Sequence, residues 1–147
     1  GSVSDHFLKI NADKILEIND KQLPTGNLNN LQGHAKDFAS NRLIGNRNLD
    51  DTFVLNSDGD ELAAQLFAPL TGIKSDMSTN QPAVVVYAPE ALPDDLNYQT
   101  RISEFPSICF EGQNFPDAPN FRNFPNSVLE PGNTYYNRMS FKFSVKK

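Results

Sequence analysis

The sequence is poor in the residues that build disulfides and metal centres. Its 147 residues include one cysteine, two histidines and no tryptophan. The single cysteine, Cys109, excludes an intramolecular disulfide and is typical of a reducing compartment, so we expect a cytoplasmic protein. The histidines, His6 and His34, are far apart, and neither has the spacing of a metal-ligand cluster. We therefore expect no metal site.

Clustered positive charge and long apolar runs are also lacking. The 13 lysines and arginines are scattered, and the formal net charge is −5. Nucleic-acid binding needs clustered basic residues, because the phosphate backbone dominates affinity. No apolar run approaches the roughly 20 residues of a membrane-spanning helix. The sequence thus predicts neither a nucleic-acid partner nor a membrane partner.

Several catalytic motifs are missing. The sequence has no G-x-S-x-G, no Walker A loop and no G-x-G-x-x-G after a predicted strand. Cys109 lies in the short apolar run "SICF", which predicts a small residue buried in the core rather than a nucleophile. Nucleophilic hydrolysis and nucleotide binding therefore have no support, and we expect no cofactor.

What the sequence does contain is a series of short strand patterns. Ten prolines, eight glycines and many asparagines separate apolar runs of a strand's length. In "FLKINADKILEI" the apolar residues Leu8, Ile10 and Ala12 alternate with polar ones, and the rest of the segment suggests a second strand. "RMSFKFSVKK" also alternates at the period of a half-buried strand. "AVVVYAP" predicts a strand buried on both faces, whereas "ELAAQLFAP" fits a strand or a short helix equally well. We predict an all-β fold with few or no helices, either a β-sandwich or a barrel-like fold.

The candidate catalytic groups are carboxylates. Glu111 follows "SICF" and precedes a loop that is stiffened by three prolines. This pattern suits either a solvated carboxylate at the end of a strand or a catalytic base held by a rigid loop. Asp50 and Asp51 are adjacent, so in a strand they point to opposite faces and only one can enter a given cleft.

Four segments together resemble the aldose 1-epimerase (galactose mutarotase) family. In chain order they are "LKINADKILEINDKQLPTGNLNNLQGHAKDF", "LDDTFVL", "PAVVVYAP" and "FEGQNFPDAPNFRNFPNSVLEPGNTYYNRMSFKF". The last carries the family's Glu-x-Gln-x-x-Pro-Asp-x-x-Asn signature, which is the most specific of the four. The resemblance runs from about Asp5 to about Phe143 and covers nearly the whole chain.

The resemblance implies a fold and an activity. Family members are large β-sandwiches that interconvert the α and β anomers of free aldohexoses, such as galactose or glucose, without a metal or an organic cofactor. By motif match, Glu111 is the general base that acts on the anomeric hydroxyl, and Asp50 binds sugar hydroxyls. A histidine acts in the family as general acid on the ring oxygen.

The sequence departs from the family in two ways. Family members are roughly twice this length, and their acid histidine lies in an upstream "N-H-x-Y-F-N-L" segment. Neither His6 nor His34 matches that segment. We expect residues 1–2 to be the remnant of a tag and residues 3–147 to be the C-terminal part of a mutarotase-like domain. Such a part should have little or no activity alone and should self-associate through exposed strand edges.

Two other interpretations remain open at this point. The chain could be a non-catalytic sugar-binding or scaffold module built on the same sandwich. It could also be related to hexose-6-phosphate epimerases, with the phosphate held by Arg42, Arg47 or Arg101. Nothing in the sequence indicates which aldose is preferred.

Overall fold

The computed structural model describes residues 1–57, 59, 61–93 and 104–146, and within these ranges the chain forms ten β-strands and two short 3₁₀ helices. The strands are β1 (Phe7–Ile10), β2 (Ala12–Ile18), β3 (Pro24–Asn30), β4 (Arg42–Leu43), β5 (Leu49–Leu55), β6 (Glu61–Ala68), β7 (Ile73–Thr79), β8 (Ala83–Ala88), β9 (Cys109–Gln113) and β10 (Met139–Val145). The 3₁₀ helices are Val3–Asp5 and Ala118–Asn120. The predicted all-β sandwich is confirmed.

The strands form two five-stranded antiparallel sheets. Sheet A has the order β10-β7-β6-β1-β4, and sheet B has the order β3-β2-β5-β8-β9. Within the described ranges, no helix is long and apolar enough to span a membrane.

The core lies between the sheets and is built from alternate residues of their strands. Ile10 and Met77 of sheet A are buried, as are Phe53 and Val84 of sheet B. Phe38, from the loop between β3 and β4, packs edge-on against Phe53 with ring centroids 6.4 Å apart. Since successive residues of a strand point to opposite faces, this core accounts for one face of each sheet.

The structure assigns one segment that the sequence left open between strand and helix, and it corrects the predicted burial of another. "ELAAQLFAP" forms strand β6, which pairs with β1 on one side and β7 on the other. "AVVVYAP" forms β8, which is buried on both faces over only part of its length. Val84 and Val86 face the core, whereas on the outer face Ala83 is buried and Tyr87 is 38% exposed. A run that is apolar throughout cannot reveal which of its faces another layer covers.

The loop after β9 folds back over the outer face of sheet B. Phe115 and Phe124 pack edge-to-face at 5.1 Å and bury Leu16 and Ala83 beneath them. This second apolar cluster covers the outer face at the end of β8 that holds Ala83. The opposite end of β8, which holds Tyr87, stays open.

A charged cluster lies on the outer face of sheet A. The Asp76 carboxylate accepts a hydrogen bond from Gln65 Nε2 at 2.7 Å and pairs with Lys74 Nζ at 2.7 Å. Burial acts to raise the pKa of Asp76, but these two partners and the charge of Lys142 outweigh it. The pKa therefore lies below its ordinary value of 3.8.

This lowered pKa predicts how stability depends on pH. A carboxyl whose pKa is depressed by folding stabilises the fold above its unfolded-state pKa, about 3.9 for Asp, and loses that contribution as the pH falls through the folded-state pKa. Asp76→Asn should therefore flatten the loss of thermal stability below about pH 4. Asp20→Asn, in the exposed turn between β2 and β3, is the control. Melting curves of Asp76→Asn that fall as steeply as those of the unmutated protein would contradict the prediction.

Candidate functional site

Asp50 and Glu111 lie on the same outer face of sheet B, with strand β8 between them. Asp50 of β5 is in register with Tyr87 of β8, and Glu111 of β9 is in register with Val85. Val85 and Tyr87 are two residues apart, so their side chains point to one face, and cross-strand partners share that face. Strand pairing thus brings together two carboxylates that are far apart in the sequence.

The spacing between the two carboxylates follows from sheet geometry. Glu111 is two strands away from Asp50 and is offset by two residues along the strand. With about 4.8 Å between strands and about 3.4 Å per residue, their Cα atoms are about 12 Å apart. Two acidic side chains at this distance leave room between them for a molecule the size of a monosaccharide.

The surface of sheet B between the two carboxylates, here called the floor, combines apolar, aromatic and polar side chains. Tyr87 lies beside Asp50 and is 38% exposed, while Val85 beside Glu111 is half-buried and Thr52 is buried. Binding sites for small molecules combine apolar and aromatic surface with a few polar groups that fix orientation. This face has that composition, although sequence reasoning singled out only its two carboxylates.

The prediction that Cys109 is buried in the core is wrong. Cys109 is exposed, and it is in register with Tyr87 on the outer face. Strand alternation explains the error, because Phe110 and Gly112 take the inner positions of β9 and leave Cys109 and Glu111 outside. Counting in steps of two from Glu111 would have placed Cys109 on the outer face from the sequence alone.

Gly112 sets how closely β9 approaches sheet A. A Cβ atom at this position would lie 2.6 Å from Thr79 Oγ1 and 3.0 Å from Thr79 Cβ. Thr79 is buried and its hydroxyl donates to the Arg138 carbonyl at 2.9 Å, so it has little freedom to move away. The absence of a side chain at Gly112 therefore positions the neighbouring Glu111.

We expect Gly112→Ala to destabilise the protein by about 1–3 kcal/mol, because overpacking forces the backbone or its neighbours to shift. Urea unfolding measures the loss. The double variant Gly112→Ala/Thr79→Ala removes the hydroxyl that the added Cβ would meet at 2.6 Å. It should therefore lose less stability than the sum of the losses in the two single variants. Strict additivity would contradict this account of the contact.

Asp50 and Asp51 point to opposite faces. Asp51 forms an ion pair with Lys36 at 2.6 Å and faces the loop between β3 and β4. Its Oδ2 also accepts a hydrogen bond from the Asp50 backbone N–H at 3.2 Å. The ion pair ties that loop to β5 and leaves Asp50 as the member of the pair that shares a face with Glu111.

Neither histidine stands on a strand of sheet B. His34 lies in the exposed loop after β3, where its Nδ1 accepts a hydrogen bond from the Lys36 backbone N–H at 3.1 Å. His6 immediately precedes β1 of sheet A, and among the described residues its buried Nδ1 has no partner. Burial lowers the pKa of His6 below its ordinary 6.5, and the nearby Asp5 carboxylate acts in the opposite direction.

Two of the arginines considered as phosphate ligands, Arg42 and Arg47, bind the protein's own backbone. Arg42 donates to the Ala35 and Asp37 carbonyls at 3.2 and 3.3 Å. Arg47 donates to the Leu43 carbonyl at 3.2 Å and also to that of Ile44. Arg101 lies outside the described residues. In the described part of the chain, no group of three or more His, Cys, Asp or Glu side chains could hold a metal ion.

The fold and this face define a β-sandwich protein with two carboxylates on one open sheet face. Residues 1–142 match the sequence profile of the family described as "Aldose 1-epimerase". The chain therefore belongs to that family, and the resemblance noted in the sequence is confirmed.

Comparison with individual proteins agrees with this assignment. The chain is 29% identical to human galactose mutarotase over 98% of its own length and 45% of the relative's. It is 25% identical to the Escherichia coli aldose 1-epimerase over 96% of its length and 45% of that protein's. The chain thus spans about half the length of the curated relatives it matches.

Solved structures show the same partial coverage. An aldose epimerase homologue from Caenorhabditis elegans superimposes with a TM-score of 0.88 at 25% identity, over 99% of this chain and 47% of that one. A galactose 1-epimerase from Lactobacillus acidophilus gives a TM-score of 0.76 at 26% identity, over 99% and 46%. The fold described here therefore corresponds to about half of each of those chains.

Proposed function

We propose that this chain supplies the general base and a sugar-binding carboxylate of an aldose 1-epimerase, which interconverts the α and β anomers of a free aldohexose such as galactose or glucose. The observation that carries the proposal is the shared outer face of Glu111 and Asp50, in a chain of the aldose 1-epimerase family. The exposed free thiol of Cys109 suits a reducing compartment, and we propose that the enzyme is cytoplasmic.

In this proposal Glu111 is the base. Its carboxylate accepts the proton of the anomeric hydroxyl while an acid donates a proton to the ring oxygen, and the bond between C1 and the ring oxygen breaks. The resulting aldehyde turns about the C1–C2 bond. The ring then closes on the other face of C1, with both protons returned. An acid and a base held in place each contribute about 10²–10⁴-fold to such a step.

Asp50 orients the sugar rather than taking part in proton transfer. A carboxylate accepts hydrogen bonds from two hydroxyls at once, and these charge-assisted bonds fix the ring relative to Glu111. The partly exposed ring of Tyr87, which lies between the two acids, is suited to contact the less polar face of the sugar.

The proton donor for the ring oxygen comes from elsewhere in the domain. Among the described residues the histidines are His6 and His34, and neither stands on a strand of sheet B. We therefore propose that a histidine in the rest of the domain completes the site, and that this chain by itself has little or no epimerase activity. The rest of the domain means the part that the relatives carry beyond their match to this chain, and the two together are called the assembled enzyme.

Exchange NMR of glucose and galactose anomers tests this proposal. The chain alone should leave the exchange rate at that of buffer, and the assembled enzyme should accelerate it. Fast exchange with the chain alone at catalytic concentration would refute the division of the site. Sugar binding without any acceleration by the assembled enzyme would favour the non-catalytic module instead.

A substitution at Asp50 tests its role. Hydrogen bonds to a charged group contribute about 1.5–3 kcal/mol each, so Asp50→Asn should raise the KM of the assembled enzyme about 10–100-fold. The turnover number should change much less, since Asp50 takes no part in proton transfer. Asp20→Asn is the matched control. A fall in turnover with KM unchanged would contradict a binding role.

A further inference from the structure

The segment that leads into β10, residues 135–138, is held against the turn between β7 and β8 by hydrogen bonds. We call it the lead segment. Asn80 lies in that turn, and its side-chain Oδ1 accepts a hydrogen bond from the Arg138 backbone N–H at 2.7 Å. Its Nδ2 donates to the Tyr136 carbonyl at 2.9 Å, and its backbone N–H donates to the Arg138 carbonyl at 3.2 Å. Asn80 therefore sets the path of the lead segment.

The same network continues into the protein through Gln81 and Thr79, which are both buried. Gln81 Nε2 donates to Asn80 Oδ1 at 3.0 Å, and Gln81 Oε1 accepts a hydrogen bond from the Tyr135 hydroxyl at 3.2 Å. The Thr79 hydroxyl donates to the Arg138 carbonyl at 2.9 Å and accepts from the Gln81 backbone N–H at 3.2 Å. Such a network favours one arrangement, because any buried polar group left without a partner costs free energy.

The lead segment contacts the strand that carries Glu111. The Asn137 side-chain Nδ2 donates to the Gly112 carbonyl at 3.3 Å, and Gly112 directly follows Glu111 in β9. The inner side of Gly112 is also restricted, since a Cβ atom there would lie 2.6 Å from Thr79 Oγ1. The backbone beside Glu111 is thus held by two contacts, and both belong to the network around Asn80.

These contacts matter because β9 has few other constraints. In the described ranges β9 pairs with one strand, β8, and stands at the end of sheet B. A strand at the end of a sheet has ladder hydrogen bonds on one side only. A side-chain hydrogen bond to its backbone therefore contributes more to its position than it would in a central strand.

We propose that Asn80 and Asn137 are positioning residues for Glu111. Asn80 fixes the lead segment, and Asn137 in that segment holds the backbone beside Glu111. The inference rests on the proposed function, in which Glu111 is the general base. A base has to be held within about 0.5 Å of its productive geometry by groups that are themselves fixed. A displacement of about 1 Å can lower a rate about 10²-fold.

The position of Asp50 predicts which kinetic constant should respond. Asp50 lies on β5, two strands away from Glu111. None of the hydrogen bonds that hold the lead segment involves β5. Loss of these contacts should therefore affect proton transfer by Glu111 and leave sugar binding by Asp50 unchanged.

The first test uses this chain alone and needs no activity. Amide hydrogen exchange of residues 111–113, followed by NMR, should be about 3–10-fold faster in Asn137→Ala, the effect of losing one hydrogen bond. Asn123→Ala is the matched control, because Asn123 is also exposed and its Nδ2 donates to the Gly26 carbonyl at 2.8 Å. It should leave exchange at residues 111–113 unchanged. Equal exchange in both variants would overturn the inference and leave the proposed function untouched.

The second test measures anomer exchange by the assembled enzyme. Asn137→Ala and Asn80→Ala should each lower the turnover number about 3–10-fold with KM unchanged. The double variant should lose no more than the larger single loss, because both residues act through the same contact with β9. In the Glu111→Gln background, Asn137→Ala should have no further effect, whereas a general structural role would still reduce the rate.

A further variant guards against misfolding at the half-buried Asn80. Asn80→Asp keeps the oxygen that accepts from Arg138 and removes only the donor to Tyr136, so it should fold and still lower the turnover number. Circular dichroism checks that each variant is folded.

The outcomes separate this inference from the proposed function. A raised KM with full turnover, strictly additive losses, or a further loss in the Glu111→Gln background would overturn the inference. Full turnover in Glu111→Gln itself would refute the proposed function, and with it the need to position a base. The hydrogen-exchange result would still decide whether Asn137 holds β9.

Discussion

Replacing Glu111 with glutamine is expected to lower the turnover number of the assembled enzyme about 10²–10⁴-fold, the usual contribution of a positioned general base. The amide has nearly the shape of the carboxylate but cannot take a proton from the anomeric hydroxyl. Sugar binding should change little, because the amide oxygen still accepts a hydrogen bond. Exchange NMR at saturating galactose measures the turnover number, and a titration of the sugar gives KM.

Glu61→Gln is the matched control, since Glu61 is an exposed carboxylate at the start of β6 in sheet A. It should leave both constants unchanged. If Glu111→Gln kept full turnover, Glu111 would not be the base, even though it shares a face with Asp50. An equal loss in both variants would point to a general effect of charge instead.

The second large effect concerns stability. Phe53→Ala should cost about 3–5 kcal/mol of unfolding free energy, the range for removing a buried aromatic side chain. Phe53 is fully buried in β5 and packs edge-on against Phe38, so the surroundings would close around the cavity only in part. Urea unfolding of this chain, followed by circular dichroism, measures the change.

Tyr136→Ala is the control for this variant. It also removes an aromatic ring, but Tyr136 is exposed, and such surface changes usually stay within about 0.5 kcal/mol. Comparable losses at Phe53 and Tyr136 would show that the buried layer between the sheets is not the main source of stability. A loss confined to Phe53→Ala would locate that source between the two sheets.

Much of the local structure was predictable because strands alternate with a period of two residues. The pattern in "RMSFKFSVKK" assigned Met139, Phe141, Phe143 and Val145 to one face, and the register of β10 confirms this assignment. The same periodicity, counted from Glu111, places Cys109 outside. The burial predicted for Cys109 was wrong because an apolar neighbourhood was weighed above the alternation.

The candidate site was predictable only in part. Glu111 and Asp50 stood out through the family signature, and their roles remain predictions. Tyr87 and Val85 did not stand out, since "AVVVYAP" is apolar at almost every position and shows no preferred face. Their position became clear only when β8 was found between β5 and β9, which makes them the floor between the two acids.

The sequence by itself determined the strand periodicity, the all-β class and the family, because each depends on neighbouring residues or on motifs in chain order. Only the tertiary structure decided which strands are neighbours, since pairing depends on contacts between distant segments. That pairing put Asp50 and Glu111 on one face. Among the described residues, sheet B also stops at β9, one strand short of β10, so that residues with the pattern of a core strand are left exposed.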